Sequence, residues 1–132
     1  ALEFALSLSN FCLDVVGQNQ ALCVELDLYH ATQYHVMIKL AMWRELIEAP
    51  LCEDENFYAS NTVLRYAKGI AFANMRRLDD ALEEQRQFEL LLQGPVISRR
   101  TLGRNTCDVL LKLYKSKLSS AIAYRQGEID DA

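Results

Sequence analysis

The chain has 132 residues, of which 51% are hydrophobic and 24% are charged, and its formal net charge is -4. A chain of this size forms one domain, and its acidic balance gives no electrostatic basis for nucleic-acid binding. No apolar run reaches the roughly 18 residues of a membrane-spanning helix, so we expect neither a membrane span nor a nucleic-acid partner.

The first nineteen residues open the helical pattern. Apolar side chains dominate residues 1–16 and predict an N-terminal helix within residues 1–19, with a turn near Gly17. Helical periodicity resumes over residues 20–40.

A short helix is then predicted from Trp43 to Glu48 or Ala49. Pro50 disfavours helical geometry at the residue before it, so this helix ends there.

The middle of the chain gives the strongest helix signal. The acidic run Glu53–Glu55 suits the first turn of a helix, whose dipole favours negative charge, and residues 57–75 form the most regular helix of the sequence. Arg76 and Arg77 make a turn, and Asp79 is predicted to cap a further helix that runs to about Leu92.

The last third of the chain starts with a break at Gly94-Pro95 and a loop over residues 95–104. A long helix is expected from about Thr106 to Gln126, Gly127 is expected to end it, and Glu128 opens another helix. Strand signals are weak along the whole sequence.

One sequence motif occurs in two similar copies. It spans Gly69–Ala81 and returns as Ser120–Ala132, each time with a small residue, an apolar stretch, a short polar turn and Leu/Ile-Asp-Asp-Ala. This pattern is typical of a helix packed closely on its partner through a tight turn, and its recurrence predicts a repeat array.

The motif resembles the tetratricopeptide repeat, a family of helical hairpins. In that family, small residues at positions 8 and 20 let the two helices of a pair approach closely. The best-matching copy carries the family positions 8, 11, 15, 17 and 20 on Gly69, Phe72, Arg76, Leu78 and Ala81. The later copy carries them on Ser120, Ala123, Gly127, Ile129 and Ala132. An earlier, weaker copy carries positions 8, 15, 17 and 20 on Tyr34, Ala41, Trp43 and Leu46.

This resemblance implies an all-α fold, a right-handed α-α superhelix of about three antiparallel helix pairs in one domain over residues 1–132. The repeats would cover roughly 20–49, 56–93 and 106–132, the last one truncated. Two departures mark them as divergent: the register step is 35 residues from position 43 to 78 but 51 from 78 to 129, and Arg76 replaces the usual turn glycine. The architecture requires Leu78 and Ile129 to play the same part in consecutive hairpins, with no β-sheet between them.

In repeats of this kind the first helix of each pair lines a concave face. Carried onto this chain, the face includes the apolar residues Ile38, Val63, Ile70, Ala73 and Ala121. Its candidate partner-binding residues are His35, Lys39, Tyr66, Asn74, Tyr114, Lys117, Tyr124 and Arg125.

These side chains include three cations, three tyrosines and no carboxylate, which suits an extended peptide or an acidic segment of a partner protein. The alternative is that they are solvated or pack on other parts of a longer chain. A second candidate patch in the loop, which would contact an anionic partner or be solvated, is formed by Arg99, Arg100 and Arg104.

Catalytic and metal chemistry have weak signals. The paired aspartates at 79–80 and 130–131 lie at predicted helix starts, where they act as caps. Cys107 near a helix N-terminus could have a lowered thiol pKa, but no histidine lies near it in sequence. The two histidines, His30 and His35, diverge by about 140° on a helix, so a shared metal is disfavoured. We expect no enzyme activity, no metal and no cofactor.

The compartment is predicted from the cysteines and the first residues. The start of the chain lacks the basic segment of a signal peptide, and no Cys-x-x-Cys is present, so reduced thiols and a cytoplasmic, intracellular location are expected. The cysteines are Cys12, Cys23, Cys52 and Cys107. The missing initial Met and the end at Ala132 indicate a piece of a longer chain.

The predicted function is therefore a non-catalytic protein–protein interaction or scaffold module. Two alternatives remain open: a regulatory or substrate-recognition domain of a larger enzyme, and a purely structural spacer.

Overall fold

A computed structural model of the chain describes residues 2–18, 30–52, 58–93, 101–102 and 105–131. The helices are α1 (Leu2–Gln18), α2 (Thr32–Lys39), α3 (Trp43–Glu48), α4 (Tyr58–Asn74), α5 (Leu78–Leu92) and α6 (Cys107–Asp131). Two strands precede α6, β1 (Thr101–Leu102) and β2 (Asn105–Thr106). The predictions for residues 20–29, 53–57, 94–100 and 103–104 lie outside the described part of the chain. The turn predicted near Gly17 is wrong, because Gly17 lies within α1, and the helix predicted over residues 20–40 is interrupted by a turn at Ala31.

The predicted all-α class is confirmed. The two strands pair in antiparallel register over two residues each; β1 lies in the predicted loop and β2 directly before α6. The sequence analysis found only weak strand signals, and its requirement of no β-sheet between Leu78 and Ile129 is not met. None of the described helices is both long and apolar enough to span a membrane.

Helix α4 is the central element of the packing. Twelve of its 17 residues are buried, and it contacts α2, α3, α5 and α6. Small residues make this possible, because Ala59, Ala67, Ala71 and Ala73 leave room for neighbouring helices to approach the backbone. Its larger side chains divide between two apolar clusters, one towards α2 and α3 and the other towards α5 and α6.

Gly69 marks one close approach of a neighbouring helix. A Cβ added at Gly69 would lie 2.7 Å from Cδ1 of Leu118, a fully buried side chain of α6. The prediction of a close helix crossing at Gly69 is thus confirmed. The predicted neighbour was wrong, because the glycine faces α6 rather than α5, the second helix of its own hairpin.

The α2–α3 and α4–α5 hairpins have the same turn. Ala41 and Arg76, 35 residues apart in sequence, adopt left-handed backbone conformations with φ of 55° and 62°. In each turn the amide of the next residue donates across six residues, from Met42 to the Met37 carbonyl and from Arg77 to the Phe72 carbonyl, both at 2.9 Å. This is the Schellman helix ending, and its recurrence supports the 35-residue register step.

The start of α5 differs from the prediction. The helix begins at Leu78, and the residue before it, Arg77, makes no side-chain capping bond. Asp79 is therefore not the cap but lies in the first turn together with Asp80, where their charges complement the helix dipole. Asp80 forms an ion pair with Arg77 at 2.8 Å.

The second copy of the repeated motif does not form a hairpin. Helix α6 continues through Gly127 to Asp131, so the predicted helix end at Gly127 and the new helix at Glu128 are both wrong. Leu78 opens a helix after a turn, whereas Ile129 lies within one, so the two positions are not equivalent. The described residues therefore contain two hairpins followed by a single long helix.

Candidate functional site

A cluster of aromatic rings joins α2, α4 and α6. The Tyr114 ring stacks on the Tyr66 ring, with 5.0 Å between centroids and 24° between planes, and also lies 5.0 Å from the His35 ring. Tyr66 is buried and its ring extends the contact to Phe88 in the core. Tyr114 and His35 are half-buried, so the cluster rests on the core and presents their outer edges to solvent.

Two lysines flank this cluster. The Lys117 ammonium lies 5.9 Å from the centroid of the Tyr114 ring, and both Lys117 and Lys39 are exposed. Among the described residues, no carboxylate forms an ion pair with either lysine. Burial lowers the pKa of His35, and the positive charges of Lys117 and Lys39 lower it further. The neutral imidazole is therefore favoured beside two unpaired ammonium groups.

The tyrosines of the cluster hold their protons. Burial raises the pKa of Tyr66, and the neighbouring Tyr114 raises it further, while burial also raises the pKa of Tyr114. Both hydroxyls are thus neutral at physiological pH, and the rings carry no negative charge that would repel an acidic ligand.

A second group extends the surface along α6. Nη2 of Arg125 donates to Oδ1 of Asn74 at 2.9 Å, and Nδ2 of Asn74 donates to the Ile70 carbonyl, also at 2.9 Å. The Arg125 guanidinium lies 5.4 Å from the ring centroid of Tyr124, a side chain that is 66% exposed. Asn74 thus connects the arginine to the end of α4.

Six predicted residues form the surface that we call the aromatic–cationic face. They are His35, Lys39, Tyr114, Lys117, Tyr124 and Arg125. The four from α6 fall within an arc of about 100° around that helix, with Tyr124 and Arg125 at its two edges.

Other residues of the predicted face are not surface residues. Val63 and Ala73 have no exposed area, Ile70 is 8% exposed, and Tyr66 is 5% exposed. The reason is that α4 packs against α2, α3, α5 and α6, so positions that would line a groove are covered by these neighbouring helices. Ile38 and Ala121 are half-buried and pack on the core clusters.

The predicted basic loop patch lies outside the described residues. This applies to Arg99, Arg100 and Arg104. The same is true of the side chains of Cys107 and of Asp130 and Asp131, whereas Cys52 is a half-buried free thiol. Within the described part of the chain, no group of three or more His, Cys, Asp or Glu residues is placed to hold a metal ion.

The structure also contains a cavity that the sequence analysis missed. It has a volume of about 340 Å³, and its walls come from α1, from His30 and α2, and from residues 49–52. These segments are far apart in sequence and carry no common motif. The only local signal was Pro50, which predicts an extended segment after α3 but not a cavity beside it.

Hydrogen bonds that are buried or partly buried hold two walls of this cavity. Nδ1 of His30 lies 2.7 Å from Oγ of Ser60, a side chain that is 1% exposed. Asn61 pairs with the backbone of Cys52, accepting from its amide at 2.8 Å and donating to its carbonyl at 2.7 Å. The Ser60 hydroxyl does not line the cavity, so the His30–Ser60 pair orients the imidazole rather than presenting a nucleophile.

No family model, curated protein or solved structure matches the chain. The tetratricopeptide-repeat resemblance stays a prediction, carried by the two hairpins and their shared turn.

Proposed function

We propose that the protein is a non-catalytic interaction module that binds an extended, acidic segment of a partner protein on its aromatic–cationic face. The two hairpins act as divergent tetratricopeptide-like repeats in this proposal, and α6 packs against them as a long single helix. The module would serve as part of a larger scaffold.

The proposal is supported by a difference in charge pairing between α5 and the aromatic–cationic face. Carboxylates of α5 form ion pairs: Glu84 with Arg65 at 3.0 Å, Glu83 with Arg86 at 2.7 Å and Glu89 with Lys115 at 3.8 Å. Lys39 and Lys117, in contrast, have no such partner among the described residues. A chain of net charge -4 therefore presents, in its described part, two lysines without an ion-pair partner beside half-buried aromatic rings.

The chemistry of this face suits a flexible acidic ligand. Each exposed ion pair contributes only about 0–1 kcal/mol, so carboxylates alone would bind weakly. Contact with the tyrosine rings adds apolar area and fixes the ligand backbone near the cations. Since the charges are solvent-exposed, binding should weaken as ionic strength rises and the Debye length falls below about 8 Å.

A peptide-display experiment tests the proposal. Random twelve-residue peptides are selected for binding to the protein, and the enriched sequences are compared with the starting pool. We expect enrichment of Asp and Glu together with an apolar or aromatic residue. The double variant Lys39→Glu, Lys117→Glu should lose this enrichment, because both ammonium groups beside Tyr114 are reversed.

The matched control places the same charge change elsewhere. Arg44 and Arg76 are exposed, lie outside the aromatic–cationic face and form no ion pair among the described residues, so Arg44→Glu with Arg76→Glu alters the net charge equally. This variant should retain the acidic enrichment. Equal loss in both variants, or no acidic enrichment by the unmodified protein, would contradict the proposal, and the latter result would favour a structural spacer.

A further inference from the structure

The cavity beside α2 is separate from the aromatic–cationic face. Its volume of about 340 Å³ is roughly twice that of an engineered protein cavity that takes up benzene, and it falls within the range of ligand pockets. Leu6 and Asn10 of α1 line it and are exposed to solvent, so the cavity is accessible from that side.

The described lining of the cavity contains no charged side chain. Apolar groups from Met37, Pro50 and Leu51 make up much of its wall. Burial lowers the pKa of His30, so that ring is neutral near pH 7. An ionic ligand would lose its hydration here without gaining a counter-charge, which strongly disfavours binding of charged molecules.

One polar group in the wall is left without a partner. Tyr34 is only 6% exposed, and no described residue forms a hydrogen bond with its hydroxyl. The hydroxyl oxygen is nevertheless not sealed off, because no side-chain polar atom of the described residues is both buried and unpaired. Tyr34 lines the cavity, and its hydroxyl lies near enough to Cys52, another lining residue, for Cys52 to raise the pKa of that hydroxyl, which supports an orientation towards the cavity.

The Tyr34 hydroxyl is suited to donate a hydrogen bond. Burial raises its pKa to about 12, with a further contribution from Cys52, so it keeps its proton at physiological pH. Its surroundings are also fixed, because Asn61 holds the Cys52 backbone through two hydrogen bonds and Ser60 orients His30. A ligand would thus enter a largely preformed site at a small conformational cost.

We propose that this cavity binds a small, uncharged, mainly apolar molecule whose single hydrogen-bond acceptor, such as a carbonyl oxygen, accepts from the Tyr34 hydroxyl. The apolar body of the molecule packs on Met37, Pro50 and Leu51. The Cys52 thiol is covered when the site is occupied.

Three matched probes test this proposal. Acetophenone has an aromatic body and a carbonyl acceptor, ethylbenzene has nearly the same shape without the acceptor, and benzoate carries a charge. We expect acetophenone to bind with a Kd on the order of 0.1–1 mM, ethylbenzene several-fold more weakly, and benzoate not measurably. Binding is measured by ligand-observed NMR.

Cys52 lines the cavity and is half-buried, so its thiol provides a local readout of occupancy. The rate of its alkylation by iodoacetamide is followed by site-resolved mass spectrometry, which separates it from the other three cysteines. Saturating acetophenone should slow this reaction at least fivefold, and benzoate should leave it unchanged. An unchanged rate with acetophenone would overturn the proposal, whether or not the probe binds elsewhere.

The hydrogen bond is tested by Tyr34→Phe, which keeps the ring and removes the donor. Acetophenone affinity should fall roughly two- to tenfold while ethylbenzene affinity stays the same. Equal acetophenone affinity in the two proteins would show that Tyr34 does not recognise the acceptor. Cavity filling by Met37→Trp should abolish the protection of Cys52, and persistence of that protection in a folded variant would contradict the proposed location.

Discussion

The two copies of the repeated motif fold in different ways within one chain. Residues 69–81 form the end of α4, a Schellman turn and the start of α5, whereas residues 120–131 continue as one helix. Arg76 takes the left-handed conformation in the first copy, although glycine is the residue best suited to it. In the second copy glycine occupies the corresponding position, and the backbone stays helical there.

Burial explains this difference better than local sequence. In the first copy, Phe72 and Ala81 flank the turn and are buried in the cluster that α5 and α6 complete. In the second copy, Ala123 is exposed, and a Cβ added at Gly127 would meet no atom within 4 Å. A turn in the first copy buries apolar surface. A turn in the second copy would break helical hydrogen bonds without burying apolar side chains against the described residues.

The largest expected effect compares equivalent positions of the two copies. Gly69→Leu would force a side chain into Leu118, which is fully buried, so we expect the free energy of unfolding to fall by about 3 kcal/mol through overpacking. Ser120→Leu changes the matching residue of the second copy, which is exposed, and should alter stability by less than about 0.5 kcal/mol. Urea unfolding of both variants measures the contrast. Similar values for the two would mean that Gly69 is not at a close helix crossing.

A smaller effect tests the two shared turns. Arg76→Gly and Ala41→Gly relieve the steric cost of a left-handed conformation, so each should stabilise the protein by up to about 1 kcal/mol. Thermal unfolding should show a higher Tm for both variants. A lower Tm for either one would mean that its turn residue has a negative φ, and the hairpins would then not share a turn.

The weakest of these effects is a pH dependence of stability, which arises from two histidines at and before the first hairpin. Burial lowers the pKa of both histidines, His30 and His35, below the value of 6.5 that they regain on unfolding. The unfolded chain therefore binds more protons than the folded chain at pH values just below 6.5. Stability should be greatest above about pH 7 and fall as the pH drops towards 5.5, before most carboxylates titrate.

Unfolding in urea at pH 7.5 and 5.5 measures this loss. His35→Gln removes one titrating group and should reduce the difference between the two pH values. An unchanged difference would show that His35 contributes nothing to the acid sensitivity.

Local pattern was sufficient to predict some helix boundaries. The bounds of α3 and α4 agree with the sequence analysis within one residue, because Pro50 and the apolar periodicity of residues 57–75 act over a few positions. The continuation of α6 through Gly127 was not predictable in this way. It depends on what packs beside the turn, which sequence spacing does not reveal.

The candidate sites also differ in whether sequence pattern or tertiary packing determines them. The resemblance to the tetratricopeptide repeat assigned to one face the side chains that meet around Tyr114. It did not reveal that Val63, Ile70 and Ala73 would be covered by neighbouring helices. The cavity was missed for a related reason, since its walls converge only through tertiary packing.

The substitution Gly127→Ala tests most directly the claim that packing, rather than local sequence, makes the two copies differ. In a continuous helix, alanine at this position meets no neighbour and costs less backbone entropy, so the free energy of unfolding should rise by about 0.5–1 kcal/mol. A loss of about 1 kcal/mol or more would contradict the account, because it would mean that Gly127 needs a positive φ and that the second copy forms a hairpin after all.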